Sequence, residues 1–299
     1  MTGPGFGVTL LCSTKSKLVL PKGGTMLRKV AVVLLVLGLA LPALAQSPIP
    51  VVAASAVLAD LAEKVGGETV SVYTIIPPGF CPAHYDLRPS DLLAVAQARL
   101  VLYHGIEPWL ETLLGNVNPD ARAVKLPGPW NTPQFMSDKA RAVATALGEI
   151  LPEQAEAFTA RAEEFAAGVQ ALGEELRTRA EELALSEVPA IVMQWQAGFA
   201  TWLGLNVVAT YPPEERLSLR DLAEIATQGR EAGALLVIDN LQSGVSFGAR
   251  LAHELGAVHV VLTNFPGALP GAVDLLSMLR ANAEAVFAAV ESLKGLPVP

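Results

Sequence analysis

Between Ser137 and about Leu185 the chain carries no strand signal, whereas on both sides of that stretch short apolar runs alternate with helical patterns. Within it Phe158, Ala162, Phe165, Val169, Leu172, Leu176 and Leu183 recur at three- and four-residue steps, with Glu and Arg between them. That period predicts one long amphipathic helix with Pro152 in its first turn, and a helical hairpin broken at Gly168 or Gly173 is the alternative. Before the stretch, strands are predicted at Pro50–Ala53, Thr69–Ile76, Leu100–Tyr103 and Ala123–Leu126, with helices at Ser55–Val65, Ser90–Ala98 and Pro108–Leu114. After it, strands are predicted at Ala190–Met193, Asn206–Thr210, Ala234–Ile238 and His259–Leu262. The helices there fall at Ala197–Leu203, Ser218–Gln228, Phe247–Leu255 and Gly271–Leu293, and Ser218 with Asp221 three residues on reads as a helix cap. Strand–helix alternation of this kind makes parallel sheets. The predicted fold class is therefore α/β, with two lobes, each a parallel sheet flanked by helices, joined by one long backbone helix. The boundaries are an N-terminal lobe at 46–150, the linking helix at 151–186 and a C-terminal lobe at 187–299. Ligands of parallel sheets sit beyond the carboxyl ends of the strands, so the expected site is a cleft where those ends face one another.

The first 45 residues read differently. Met26-Leu27-Arg28-Lys29 is basic, Val30 to Leu41 is apolar and uncharged, and Ala43-Leu44-Ala45 is a small-x-small cleavage signature. The expectation is an upstream extension followed by a signal peptide cut after Ala45, hence an exported protein, periplasmic or attached to the cell envelope. Five of the 21 basic residues lie in this segment and no acidic ones, leaving 16 basic against 29 acidic residues beyond it. That balance argues against nucleic acid as a partner. Export also isolates Cys81, since Cys12 precedes the predicted cut. A lone thiol outside the cell has no internal disulfide partner and is open to oxidation.

Cys81 lies in Pro77-Pro78-Gly79-Phe80-Cys81-Pro82-Ala83-His84-Tyr85-Asp86, three residues from His84. Thiolate and imidazole at this spacing form a soft metal-binding pair. A nucleophile–base reading of the same pair is the weaker alternative, because no Gly-rich oxyanion turn follows it. The layout and several local strings resemble the zinc/manganese family of metal-binding solute receptors of ABC importers. The strings are Val51 to Ala62, Pro77-Pro78-Gly79 with Tyr85 and Pro89-Ser90-Asp91, and Ala96 to Gly105 with Trp109 following. The resemblance implies a non-enzymatic receptor, acting as a monomer, that captures a transition metal between two lobes and delivers it to a membrane permease.

At the metal site the chain departs from that family. The slot of the usual first histidine holds Ala83, with His84 one place later. The Gly128-to-Pro133 string has no histidine, Met193-Gln194-Trp195-Gln196 replaces the third ligand, and Thr263-Asn264 stands where a carboxylate is usual. The candidate ligands are accordingly Cys81 and His84 from the N-terminal lobe, with Asp239, Glu214 and Met193 from strand ends of the C-terminal lobe. Zinc is the first expectation and copper or another late metal the second. Gln196, Asn240, Gln242, Asn264 and Trp130 are expected to line the cleft, where their amides suit a metal chelate or a small organic solute better than a bare dication. His104 is expected to be a packing residue.

Overall fold

The computed structural model describes residues 47–295; the predicted extension, signal peptide and cleavage site lie outside them. In chain order, the N-terminal lobe contains β1 (Ile49–Ser55), α1 (Ala56–Gly66), β2 (Val70–Ile76), α2 (Pro89–Gln97), β3 (Leu100–Tyr103), α3 (Leu110–Val117) and β4 (Arg122–Lys125). Two long helices follow, α4 (Pro133–Ile150) and α5 (Ala155–Glu182). The C-terminal lobe contains β5 (Pro189–Met193), α6 (Ala197–Leu203), β6 (Asn206–Tyr211), α7 (Leu219–Glu231), β7 (Leu236–Asn240), α8 (Ser246–Leu255), β8 (Val258–Leu262) and α9 (Leu275–Leu293). Each lobe holds a four-stranded, all-parallel sheet, ordered β2-β1-β3-β4 and β6-β5-β7-β8. The two orders are the same, and in each the chain reverses direction across the sheet between the first and third strands.

The predicted elements are present with small shifts at their ends, the single long helix after Pro152 among them. The strand-free stretch also holds a helix that was not predicted, α4, ahead of the long one. Leu151 leaves helical geometry at φ −135°, ψ 76°, as a residue before proline tends to, and Pro152–Gln154 makes a short 3₁₀ turn into α5. The predicted linking helix is α5, whose 28 residues run without a break through Gly168 and Gly173. At 1.5 Å per residue it is ~42 Å long. Gly173 is where α4 and α5 meet closely: a Cβ there would lie 2.7 Å from Pro133 Cγ. The apolar positions read from the sequence, from Phe158 through Leu183, are all buried. Each full burial of such a side chain stabilises the fold by roughly 1.5–3 kcal/mol.

Strand alternation sorts the core into three layers. Val51, Ala53, Leu100 and Leu102 on the inner face of one sheet, and Ala190, Val192, Leu236 and Ile238 on the inner face of the other, join α1, α4, α5 and α9 in one continuous apolar cluster. The outer faces form separate clusters, Val52, Ala54, Val101 and Tyr103 in one lobe and Ile191, Met193, Tyr211 and Val237 in the other. A core continuous through both lobes resists a wide hinge motion, because opening would expose it to water. The expected cap of α7 is present: Ser218 Oγ accepts from Asp221 N at 3.2 Å, and Ser218 N donates to Asp221 Oδ2 at 2.9 Å.

Candidate ligand site between the lobes

The site begins at the two places where strand order reverses, the usual location for ligands of open parallel sheets. In the N-terminal lobe, β1 and β3 pair with Ala53 opposite Leu102. Two residues further on the same inner face come Ser55 and His104, whose Oγ and Nε2 are 2.8 Å apart. In the C-terminal lobe the corresponding ends carry Asn240, the last residue of β7, and Gln196, just beyond β5. Gln196 Nε2 donates to Asn240 Oδ1 and to Asn264 Oδ1, both at 3.1 Å. Ser55, His104, Gln196, Asn240 and Asn264 are all buried.

Three side chains join the two pairs across the cleft. Trp130 Nε1 donates to the Asn264 carbonyl at 2.7 Å, and the Trp130 ring stacks on His104 with centroids 4.1 Å apart. Asn131 Nδ2 donates to the Trp195 carbonyl at 3.1 Å. Gln242 Nε2 donates to the Pro78 carbonyl at 3.0 Å and to Thr263 Oγ1 at 2.9 Å, while its Oε1 accepts from Asn264 N. The result is a buried seam of amide, hydroxyl, indole and imidazole groups, none carrying a charge. Burial, and secondarily the Lys139 ammonium, lowers the His104 pKa to about 3 against a weak opposing pull from the Leu126 backbone, so the ring is neutral at physiological pH. Lys139 donates to the Leu126 and Pro127 carbonyls at 2.7 Å each. The nearby carboxylate of Glu107 accepts from the backbone N–H groups of His104 and Gly105.

The residues expected to line the cleft, Trp130, Gln196, Asn240, Gln242 and Asn264, are thus joined in one hydrogen-bonded network. The candidate metal ligands are not. Cys81 is partly buried and His84 exposed, on a 3₁₀ turn in which His84 N donates to the Cys81 carbonyl at 3.1 Å. Their loop is anchored by Asp91, which accepts from the Tyr73 and Tyr85 hydroxyls and from Arg88 N.

Asp239, the carboxylate expected in the cleft, lies on the opposite face of its sheet from Asn240, since neighbours on a strand alternate. There it accepts from the Tyr211 hydroxyl and lies 2.7 Å from His259 Nε2, beneath Gly248. Burial raises the Asp239 pKa against these bonds, and burial beside Asp239 raises that of Tyr211. Met193 belongs to the same outer cluster and is 1% exposed, with its sulfur facing Trp195 N. Glu214 is held by Ser246 at 2.5 Å and Arg250 at 2.8 Å on α8. Among the described residues no group of three or more His, Cys, Asp or Glu side chains is arranged to hold a metal ion.

Sequence reasoning passed over Ser55, Asn131 and the site role of His104. The signal for the first and last was their matched position beyond β1 and β3; for Asn131 it was its place beside Trp130.

The surrounding scaffold has known counterparts. Residues 51–289 match the family described as zinc-uptake complex component A, periplasmic. The manganese-binding lipoprotein MntA of Halalkalibacterium halodurans is 30% identical over 141 residues, 42% of this chain and 47% of that protein. A streptococcal relative, the metal ABC transporter substrate-binding lipoprotein SsaB of Streptococcus sanguinis, is 30% identical over 80 residues, 25% of this chain and 26% of that one. The chain therefore spans between about a quarter and a half of the length of these curated relatives. A zinc-bound ZnuA deletion mutant superposes with a TM-score of 0.69 at 23% identity, covering 81% of this chain and 98% of that one, which shows the shared fold. With the family match running across both lobes and the helix between them, the chain belongs to the ZnuA family of periplasmic zinc-uptake components.

Proposed function

We propose that this protein is the exported solute-binding component of an ABC importer, capturing a transition metal at the interlobe cleft and passing it to a membrane permease. The observation that carries this reading is the meeting of the two strand-reversal points in one buried seam, on a scaffold shared with metal receptors. The role is binding and release.

Zinc is the first candidate cargo and copper the second. The donors offered are the thiol of Cys81 and the imidazole of His84, both suited to these metals. Asp239, Glu214 and Met193 are engaged on the far side of the C-terminal sheet, so the remaining coordination has to be supplied by the cargo's own ligands. The uncharged lining of the seam favours a second form of the reading, in which the cargo is a metal chelate or a small organic solute.

Elemental analysis of protein isolated from its exporting host, with zinc titration of Cys81→Ser and His84→Ala, tests the proposal. Each substitution is expected to weaken zinc binding at least tenfold. Unchanged zinc affinity in both variants would rule out the Cys81–His84 site.

A further inference from the structure

Among the described residues, buried side-chain polar atoms without a hydrogen-bond partner are few: His104 Nδ1, Trp109 Nε1, Asn131 Oδ1 and Gln196 Oε1. Three of these four belong to the interlobe seam, on side chains that are 2%, 4% and 0% exposed. A buried acceptor left unpaired gives up its hydration with nothing in return, so such atoms are rare and rarely gather by accident.

Their orientation is fixed by their other bonds. Gln196 commits its amide nitrogen to two carbonyl oxygens, Asn240 Oδ1 and Asn264 Oδ1, which leaves its own oxygen as an acceptor. Asn131 commits its nitrogen to the Trp195 carbonyl, which leaves Oδ1 as an acceptor close to Gly198, 3.9 Å from where a Cβ there would stand. His104 is held within the protein, by Ser55 at Nε2 and by the pull of the Leu126 backbone, and its ring lies against Trp130, the residue before Asn131. The seam therefore offers two amide acceptors beside an aromatic wall of Trp130 and Phe265, whose ring centroids are 5.7 Å apart.

A bare dication does not suit this set. It needs anionic donors to offset its loss of hydration, and the carboxylates of the region are committed elsewhere: Glu107 to backbone N–H groups and Asp239 to the far face. A neutral ligand bearing N–H or O–H donors pairs the free acceptors without a net charge to bury. We infer that the interlobe seam is a binding site for an uncharged hydrogen-bond donor, held by Asn131 Oδ1 and Gln196 Oε1. This rests on the receptor reading above and deepens it. The donor groups are either the organic shell of a metal complex or those of a metal-free organic solute.

The test is a crystal structure of the mature chain isolated from its exporting host without refolding or added metal, with mass spectrometry of the small molecules it releases on denaturation. The expected result is an organic group within hydrogen-bond distance of both atoms. The released compound should fall at least tenfold in Gln196→Met and in Asn131→Ser isolated the same way; the second variant serves if the first folds poorly. Metal in one-to-one ratio with the released compound identifies a complex, and its absence identifies a free solute.

A metal ion bonded directly to these atoms, or water alone satisfying them, overturns the inference. So does zinc chloride binding one-to-one to Cys81→Ser/His84→Ala and losing that binding in Gln196→Met. A zinc affinity that ignores Cys81 and His84 instead defeats the Cys81–His84 site proposed above, so the two failures are distinct.

Discussion

The indole N–H of Trp130 donates to the backbone carbonyl of Asn264 at 2.7 Å, tying the loop after β4 to the loop after β8. It is one of three side-chain bonds that cross between the lobes at the seam, with Asn131 to Trp195 and Gln242 to Pro78. The lobes are thus latched by the protein's own groups, in addition to their shared core.

Trp130→Phe removes that donor and keeps an aromatic ring against His104. The variant is expected to lose about 1 kcal/mol of stability in urea denaturation, the net worth of a typical hydrogen bond plus the unpaired carbonyl left behind. An unchanged midpoint would show that the bond contributes nothing to holding the cleft.

Asp239→Asn separates a structural carboxylate from a ligand. Asp239 pairs the buried Tyr211 hydroxyl and faces His259, so the substitution should cost about 1–3 kcal/mol while leaving zinc titration unaltered. A zinc affinity that falls with Asp239 would return it to the metal site.

Two buried groups pull stability in opposite directions with pH. His104, with its pKa lowered to about 3 from 6.5, is neutral in the fold and takes up a proton on unfolding, so stability is lost as pH falls below about 6.5. Asp60 has its pKa raised to about 6 from 3.8, chiefly by burial, and only partly offset by the Leu275 N–H and Lys64. Its protonated form is favoured in the fold, so its contribution is present at low pH and lost as pH rises from about 4 to 6. Between about pH 4 and 6 the two slopes, each up to about 1.4 kcal/mol per pH unit, oppose one another. Asp274, which Lys64 and Ser277 hold at about 2 despite partial burial, stays ionised throughout that window. Asp60→Asn is therefore expected to make stability fall between about pH 6.5 and pH 4.5, where the wild type is nearly level. Parallel urea midpoints for the two proteins across that range would contradict this.

Ala184 ends α5 in the left-handed region at φ 51°, ψ 47°, the position where helices usually place glycine. Ala184→Gly should relieve the steric cost of the Cβ and raise stability by up to about 1 kcal/mol, read as a higher thermal midpoint. A lowered midpoint would mean that the Cβ packs well enough to outweigh the strain.

Much of the fold was legible because it rests on local periodicity. The strand at Leu100–Tyr103 and the helix at Ala197–Leu203 fall where the pattern put them, and the buried face of α5 follows from the three- and four-residue spacing. Pro152 marked where the long helix begins, whereas α4 ahead of it was not predicted as an element. At the site, the amides clustered at strand ends, Gln196, Asn240, Gln242 and Asn264, prove to be hydrogen-bonded to one another. Asp239 and Asn240 were indistinguishable by type and position, and only the parity of β7 separates them.

What the chain determines by itself is the alternation of strands and helices, the length of α5 and the scarcity of histidines and carboxylates beyond the strand ends. These depend on residue identity and near-neighbour spacing. What only the tertiary structure decided is which polar groups meet. His104 reaches Ser55 and Trp130, Trp130 reaches Asn264, and Asn264 reaches Gln196, over sequence separations as large as 134 residues. The pairing of two sheets about one core brings these groups together, and burial then converts them from ordinary polar side chains into an uncharged, partly unpaired seam.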